Sequence, residues 1–393
     1  MPQKADVRRL LWRMGCSTRI DVRLRGDIVP GSRASGHRGP RYEEFTDLDV
    51  LGIGFTPAGQ LHTTFADCRS SQRSVMERMF WVRGVADFVG AGEAYLVRAH
   101  DVPAGARTLS ARLQIGILTP ADMAAMENTF PTPLSLDIRP LSCLFDTATM
   151  AVHLNASADA DRKLKRLVDY LDFDYWVFEP YRNITQLVAQ LSDAVTTLDP
   201  ANRKHRTLFY DSVWHYALSL AQAVAFVRST RMADVPTAVR TYAGGGELAL
   251  REKAGLADML QRNGWPASKD IVHPPYIDQL TELVTRFLVR PAELADVLRY
   301  AEYLAVSEVN RIGDSVGAAF GDHLHPVAAK LLADICGFLV TAAGLRPDFR
   351  TAARGRLILD LTGRSPVGSQ PLSAPGAHVT GTIGSTGQTL PGT

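Results

Sequence analysis

The stretch EFTDLDVLGIGF–TPAGQ–LHTTFADC, residues 44–68, constrains the fold more than any other part of the chain. Its flanks are rich in β-branched, aromatic and other apolar residues. Its centre, 56–60, has the Pro and Gly of a turn. The pattern predicts a strand over 44–55 and a second over 61–68 that pairs back as a hairpin partner. An isolated hairpin is marginal in water, so further strands or helices must cover it. The two strands also carry acids in otherwise apolar surroundings. Asp47 and Asp49 alternate and therefore share a face, as do Asp67 and Arg69. Pairing across 56–60 lets Asp49 and Asp67 converge near one edge of the sheet. Unpaired acids at such places are costly unless a cation meets them.

The neighbouring segments supply the cover. Residues 4–14 place Val7, Leu10, Leu11 and Met14 at helical spacing, and TRIDVRL (18–24) alternates as a half-buried strand. The Gly/Pro/Ser-rich stretch 26–40 reads as a loop. A helix is expected over 70–86, a buried strand over 94–100 and a helix over 104–115. GILTPADMAAM then offers a strand, a turn and a helix start. The order α-β-β-β-α-β-α-β predicts an α/β N-terminal domain with a mixed sheet flanked by helices, residues 1–150. From about 156 onward the periodicity is helical, over 157–171, 184–198, 205–230, 246–262, 276–289, 292–311 and 314–344. Residues 151–364 are expected to form a mostly α-helical C-terminal domain. The stretch 365–393 has no Asp, Glu, Lys or Arg, is rich in Gly, Ser, Thr and Pro, and is expected to be a disordered tail.

Two carboxylates and a strand carbonyl make a hard-oxygen set suited to Mg²⁺ or Mn²⁺. Asp49, Asp67 and the backbone carbonyl of Cys68 are the candidate metal ligands. The series TDLDVLGIGF…TTFADCRSSQ, followed by a helix and the strand EAYLVRAH, resembles the PD-(D/E)XK, or restriction-endonuclease-like, nucleases. Asp49 matches the first acid of that pattern and Asp67 the second, and Ser70, Ser71 and Gln72 match the polar residues that lead into the family's next helix. AGARTLSARLQIGILTPADM resembles the closing unit of the same fold, so the likeness covers roughly residues 4–127. It implies metal-dependent hydrolysis of a DNA phosphodiester. Asp49 and Asp67 would hold the ion, Arg69 would stabilise charge on the scissile phosphate and Gln72 would orient water. Where the family has lysine this chain has Arg69, which keeps the charge but does not deprotonate. No lysine occurs between residues 5 and 162, and Asp6 is the acid available on the first helix. Two other readings stand beside hydrolysis. One is a nuclease-like fold that binds nucleic acid, or a protein partner or a second copy of the chain (a homo-oligomer) through the helical half, without cutting. The other is a set of strand-end acids neutralised by Arg69.

The bulk composition excludes little. The chain of 393 residues is 46% hydrophobic and 21% charged with a net charge of +2, which gives no global polyanion-binding signal. Residues 1–41 hold ten Lys/Arg against three Asp. Arg8, Arg9, Arg13, Arg19, Arg23 and Arg25 read either as a phosphate-tracking set or as a solvated face. Cys16, Cys68, Cys143 and Cys336 are scattered, with no zinc spacing, and read as reduced thiols of a cytoplasmic protein. No apolar run is long enough to span a membrane. Gly244–Gly246 reads as a linker between helices, His323 and His325 as a helix break before Pro326, and YLDFDYWVFEPY (170–181) as a core element.

Overall fold

A computed structural model describes residues 1–25, 44–56, 59–69, 75–158, 161–230, 232–264 and 272–357. Gln72, Ser70 and Ser71, the loop 26–40 and the tail 365–393 fall outside the described residues. The first part runs α1 (Pro2–Arg13), β1 (Ser17–Arg25), β2 (Glu44–Phe55), β3 (Leu61–Arg69), α2 (Val75–Phe88), β4 (Glu93–Arg98), α3 (Ala104–Leu113), β5 (Gly116–Leu118) and α4 (Pro120–Thr129). This is the succession that the alternation of patterns predicts.

The five strands lie in the order β1-β2-β3-β4-β5. β1, β2 and β3 are antiparallel neighbours, whereas β3–β4 and β4–β5 are parallel. The parallel pairs follow from α2 and α3, which return the chain across the sheet. Because side chains alternate, each strand feeds two cores. Val50, Ala66, Val97 and Leu118 pack under Val7, Leu10 and Leu11 of α1 and Met123 of α4. Leu51, Phe65 and Leu96 face the other way, among Met79 and Val82 of α2. Thr119 caps α4 with a reciprocal Asp122 capping box, which fixes where β5 ends.

The rest of the chain is helical: α5 (Thr147–Ala158), α6 (Lys165–Asp169), a π-turn at Tyr170–Asp174, α7 (Tyr175–Val177), α8 (Pro180–Asp193), α9 (Arg203–Thr230), α10 (Val235–Gly244), α11 (Glu247–Arg262), α12 (Ile277–Leu288), α13 (Leu294–Val309), α14 (Val316–Phe320), α15 (Pro326–Ala342) and α16 (Asp348–Leu357). α9 is buried along most of its length and packs along α13. Residues expected as one helix over 314–344 divide at Gly321–His323, before Pro326. Gly245 and Gly246, at φ +92° and +99°, form the tight turn between α10 and α11, a conformation that disfavours other residues. Tyr170, Phe173 and Tyr175 are core residues.

Met1–Leu359 form one compact unit. Helix α1, packed on the sheet, is joined to α13 by a buried ion pair, Arg8 Nη2 to Glu302 Oε1 at 2.6 Å. No helix among the described residues is long and apolar enough to cross a membrane.

Candidate functional site

The β2–β3 ladder runs from Phe55↔Leu61 to Val50↔Ala66, so Asp49 and Asp67 are the next residues out on their strands. Both are buried, at 7% and 1% exposure. Asp67 accepts a two-pronged grip from Arg78 of α2, Nε to Oδ2 at 2.8 Å and Nη2 to Oδ1 at 2.5 Å. Such forked pairs are among the strongest charge-assisted contacts. Arg69 stands further off, Nε to Asp67 Oδ1 at 3.5 Å, with its side chain 44% exposed. Arg98 is paired in register with Arg69 on the parallel neighbour β4. Arg78 also lies over the Trp81 ring at 3.3 Å, which fixes its plane.

Asp49 has different partners. Its Oδ2 accepts from the Cys68 backbone N–H at 2.7 Å, and its Oδ1 lies 2.7 Å from Lys4 Nζ. Lys4 also bonds Asp21 of β1. The β1–β2 register passes from Ile20↔Val50 to Val22↔Leu48 with Asp21 between them at φ +54°. Asp is one of the few side chains that tolerates this left-handed backbone. The result is a cluster in which carboxylate oxygens of Asp21, Asp47 and Asp49 all lie within 4.8 Å of one another. Burial alone would lower the Lys4 pKa, but Asp21 and Asp49 outweigh it and raise it above the ordinary value. Lys4 is therefore a fixed cation at neutral pH and not a base.

The structure thus joins Asp49 to Asp21 and Asp47, while Asp67 is held separately by arginines. α1 and α2, which supply Lys4 and Arg78, cover opposite faces of the sheet. Cys68 contributes its N–H to Asp49, and burial pushes its thiol well above the ordinary range. Lys4 is the site residue hardest to see in the sequence. Its signal is the spacing Lys4–Val7–Leu11–Met14, which continues the apolar stripe of α1 to the buried face.

Four arginines of the basic N-terminal segment are engaged internally. Arg8 pairs with Glu302, Arg9 with Glu127 at 2.9 Å, Arg13 with Glu127 at 3.8 Å and Arg19 with Asp211 at 2.7 Å.

A hard divalent cation fits one part of this arrangement. The three carboxylates around Asp49 are the right donors, and Lys4 now occupies the cationic place among them. Asp67 fits less well, since both of its oxygens already accept from Arg78. Comparison with protein-family models, with curated proteins and with solved structures returns no match to this chain.

Proposed function

We propose that the protein hydrolyses phosphodiester bonds of DNA at a divalent cation, Mg²⁺ or Mn²⁺, held by Asp21, Asp47 and Asp49. The observation that carries this reading is the Lys4 ammonium set among clustered carboxylates beside the Asp67–Arg69 end of β3. A lysine is thereby present although the motif position holds Arg69. The element order and the acids on paired strands support the restriction-endonuclease-like reading. The scattered, unpaired thiols suit a cytoplasmic setting.

An ion held there would supply a water of lowered pKa and stabilise charge on the phosphoryl oxygens. Asp21, Asp47 and Asp49 position it. Lys4, permanently charged, holds the phosphate. Arg69, exposed at the strand end, neutralises charge as it develops. Asp67 anchors Arg78 and steadies Arg69, and Gln72 is the water-orienting residue of this reading. The test is cleavage of labelled single- and double-stranded DNA with Mg²⁺ or Mn²⁺. Loss of cleavage in Asp49→Asn and Lys4→Ala, with unchanged circular dichroism, is expected. Intact substrates under both metals would overturn it.

One observation favours a second reading, binding of nucleic acid or of a protein partner without cutting. The Lys4 ammonium already takes the cationic place between Asp21 and Asp49, where the ion would sit. DNA binding that persists in EDTA and in Asp49→Asn, without cleavage by the wild type, selects it.

A further inference from the structure

A second polar site lies where β1 meets the helices. A cavity of about 650 Å³ is walled by Arg19, Asp21 and Arg23 of β1, His153 of α5, and Asp211 and His215 of α9. Asp211 anchors its floor, taking Arg19 Nη1 at 2.7 Å and His153 Nε2 at 3.2 Å. Burial would raise the Asp211 pKa, but Arg19 and His153 overcome it and hold the carboxyl well below the ordinary range.

The floor is not satisfied by its own contacts. The Nε and Nη2 edge of Arg19 is buried and has no hydrogen-bond partner among the described residues. Elsewhere in this protein that same edge grips carboxylates, as in Arg78 on Asp67 and Arg206 on Glu308. Here the guanidinium lies over the Trp214 ring at 4.3 Å instead. His215 is 3% exposed; its Nδ1 lies 2.7 Å from the Asp211 carbonyl, which can only accept, so Nδ1 carries the proton. Its Nε2 makes no hydrogen bond of normal geometry to the described residues. Burial, then the Arg19 charge, holds the ring neutral with a pKa of about 3. Buried polar groups left in this state call for an explanation, and a ligand in the adjoining cavity supplies one.

The cavity is lined by charges of both signs. Among its acids, Asp21 is taken by Lys4, Asp169 by Lys165 at 2.6 Å and Asp211 by Arg19 and His153. Asp161 accepts from the Lys163 backbone N–H. Asp172 has no partner among the described residues, and burial, then Asp211, pushes its pKa up to about 6. Arg23 and Arg162 make no ion pair with a described carboxylate. The run Arg162-Lys163-Leu164-Lys165-Arg166 continues the basic surface outward, its four charged residues exposed around buried Leu164. The cavity thus offers groups of both signs outside any ion pair, the guanidiniums of Arg23 and Arg162 and the carboxyl of Asp172. An aromatic wall is also present: Trp176 is half-buried, its ring fixed by an Nε1–H bond to the Leu171 carbonyl at 3.2 Å.

We propose that this cavity binds a nucleoside phosphate, with the base against Trp176, its edge at Asp172 and the phosphates on Arg23 and Arg162. Stacking on an indole tolerates any base, and arginines match phosphate oxygens. A volume of about 650 Å³ suits a molecule larger than a lone anion. The site shares Asp21 with the acid cluster but requires no hydrolysis there.

Calorimetric titration of the full chain in EDTA tests it, with ATP, GTP, CTP, UTP and inorganic phosphate as probes. The metal-free condition keeps this result apart from any failure of the cleavage reading. Binding of at least one nucleotide is expected, tighter than inorganic phosphate, and weakened about fivefold to tenfold in Trp176→Ala and in Arg162→Gln. Arg162 is exposed, so its substitution does not endanger folding. Absence of binding up to about 1 mM nucleotide, or equal affinity in wild type and both variants, overturns the proposal.

Discussion

Arg8 Nη2 and Glu302 Oε1 meet at 2.6 Å across 294 residues of chain, and both side chains are almost fully buried. Glu302 Oε2 also accepts from Ser17 Oγ at 2.6 Å, Thr18 N–H at 2.8 Å and Trp12 Nε1–H at 3.1 Å. Burial would raise the Glu302 pKa, yet Arg8 and the Ser17 and Thr18 hydrogen bonds bring it below the ordinary value. A depressed carboxyl contributes stability above its unfolded pKa of about 4.3, and that contribution is lost as pH falls through the folded value. Glu302→Ala leaves Arg8 charged and buried and is expected to cost about 3–5 kcal/mol. Urea denaturation at pH 7 measures it, and a loss under about 1 kcal/mol would show the pair to be dispensable.

Lys4 and a divalent ion compete for the same carboxylates. Lys4→Ala removes the ammonium 2.7 Å from Asp49 Oδ1. Mg²⁺ affinity is expected to rise about tenfold, because a like charge no longer opposes the ion. Hydrolysis is expected to fall about a hundredfold, because the phosphate loses its fixed cation. Calorimetry with Mg²⁺ and cleavage of a labelled oligonucleotide report the two effects separately. Unchanged Mg²⁺ affinity would remove the acid cluster from consideration as a metal site.

Asp172 sets a pH dependence of the opposite sign to Glu302. Its folded pKa of about 6 lies above its unfolded value of about 3.9. The folded state therefore holds the proton longer, and stability falls as pH rises from about 4 to about 6. Asp172→Asn should flatten that interval and be more stable than wild type at pH 7.5 by about 3 kcal/mol. Denaturation midpoints at pH 4.5 and 7.5 check the sign. Parallel curves for the two proteins would place Asp172 in an ordinary solvated setting.

Local patterns account for the sheet and fail where partners are distant. The hairpin 44–69 is legible because alternation and turn chemistry act within a few residues. The acids Asp47, Asp49 and Asp67 are legible as charges in apolar strands. Arg19 is not: its partner Asp211 is 192 residues away, and nothing local separates it from a solvated arginine. The π-turn at Tyr170–Asp174 has no periodicity to announce it, although it brings Asp172 and Phe173 to the cavity wall. α10 is absent from the expected helices, though Asp234 caps it and Pro236 stands in its first turn. Lys4 lies between these extremes. Its spacing on α1 is visible, but its arrival at Asp49 depends on how α1 crosses the sheet.

The Asp67–Arg78 fork separates an anchoring acid from a metal ligand. Asp67 has 2% side-chain exposure, and without Arg78 its remaining ion pair among the described residues is the looser one to Arg69, at 3.5 Å. Arg78→Ala is expected to lose about 3–5 kcal/mol, since it strands a buried carboxylate. Adding Asp67→Asn should recover most of that loss, because the neutral amide carries no uncompensated charge. Asp67→Asn alone should lower stability comparably but reduce hydrolysis no more than about tenfold, as expected of a residue acting through Arg69 and Arg78. Thermal denaturation and cleavage rates on the same preparations decide between the roles. A loss of hydrolysis of about a thousandfold with unchanged melting temperature would place the ion on Asp67, with the Arg78 fork opening to admit it.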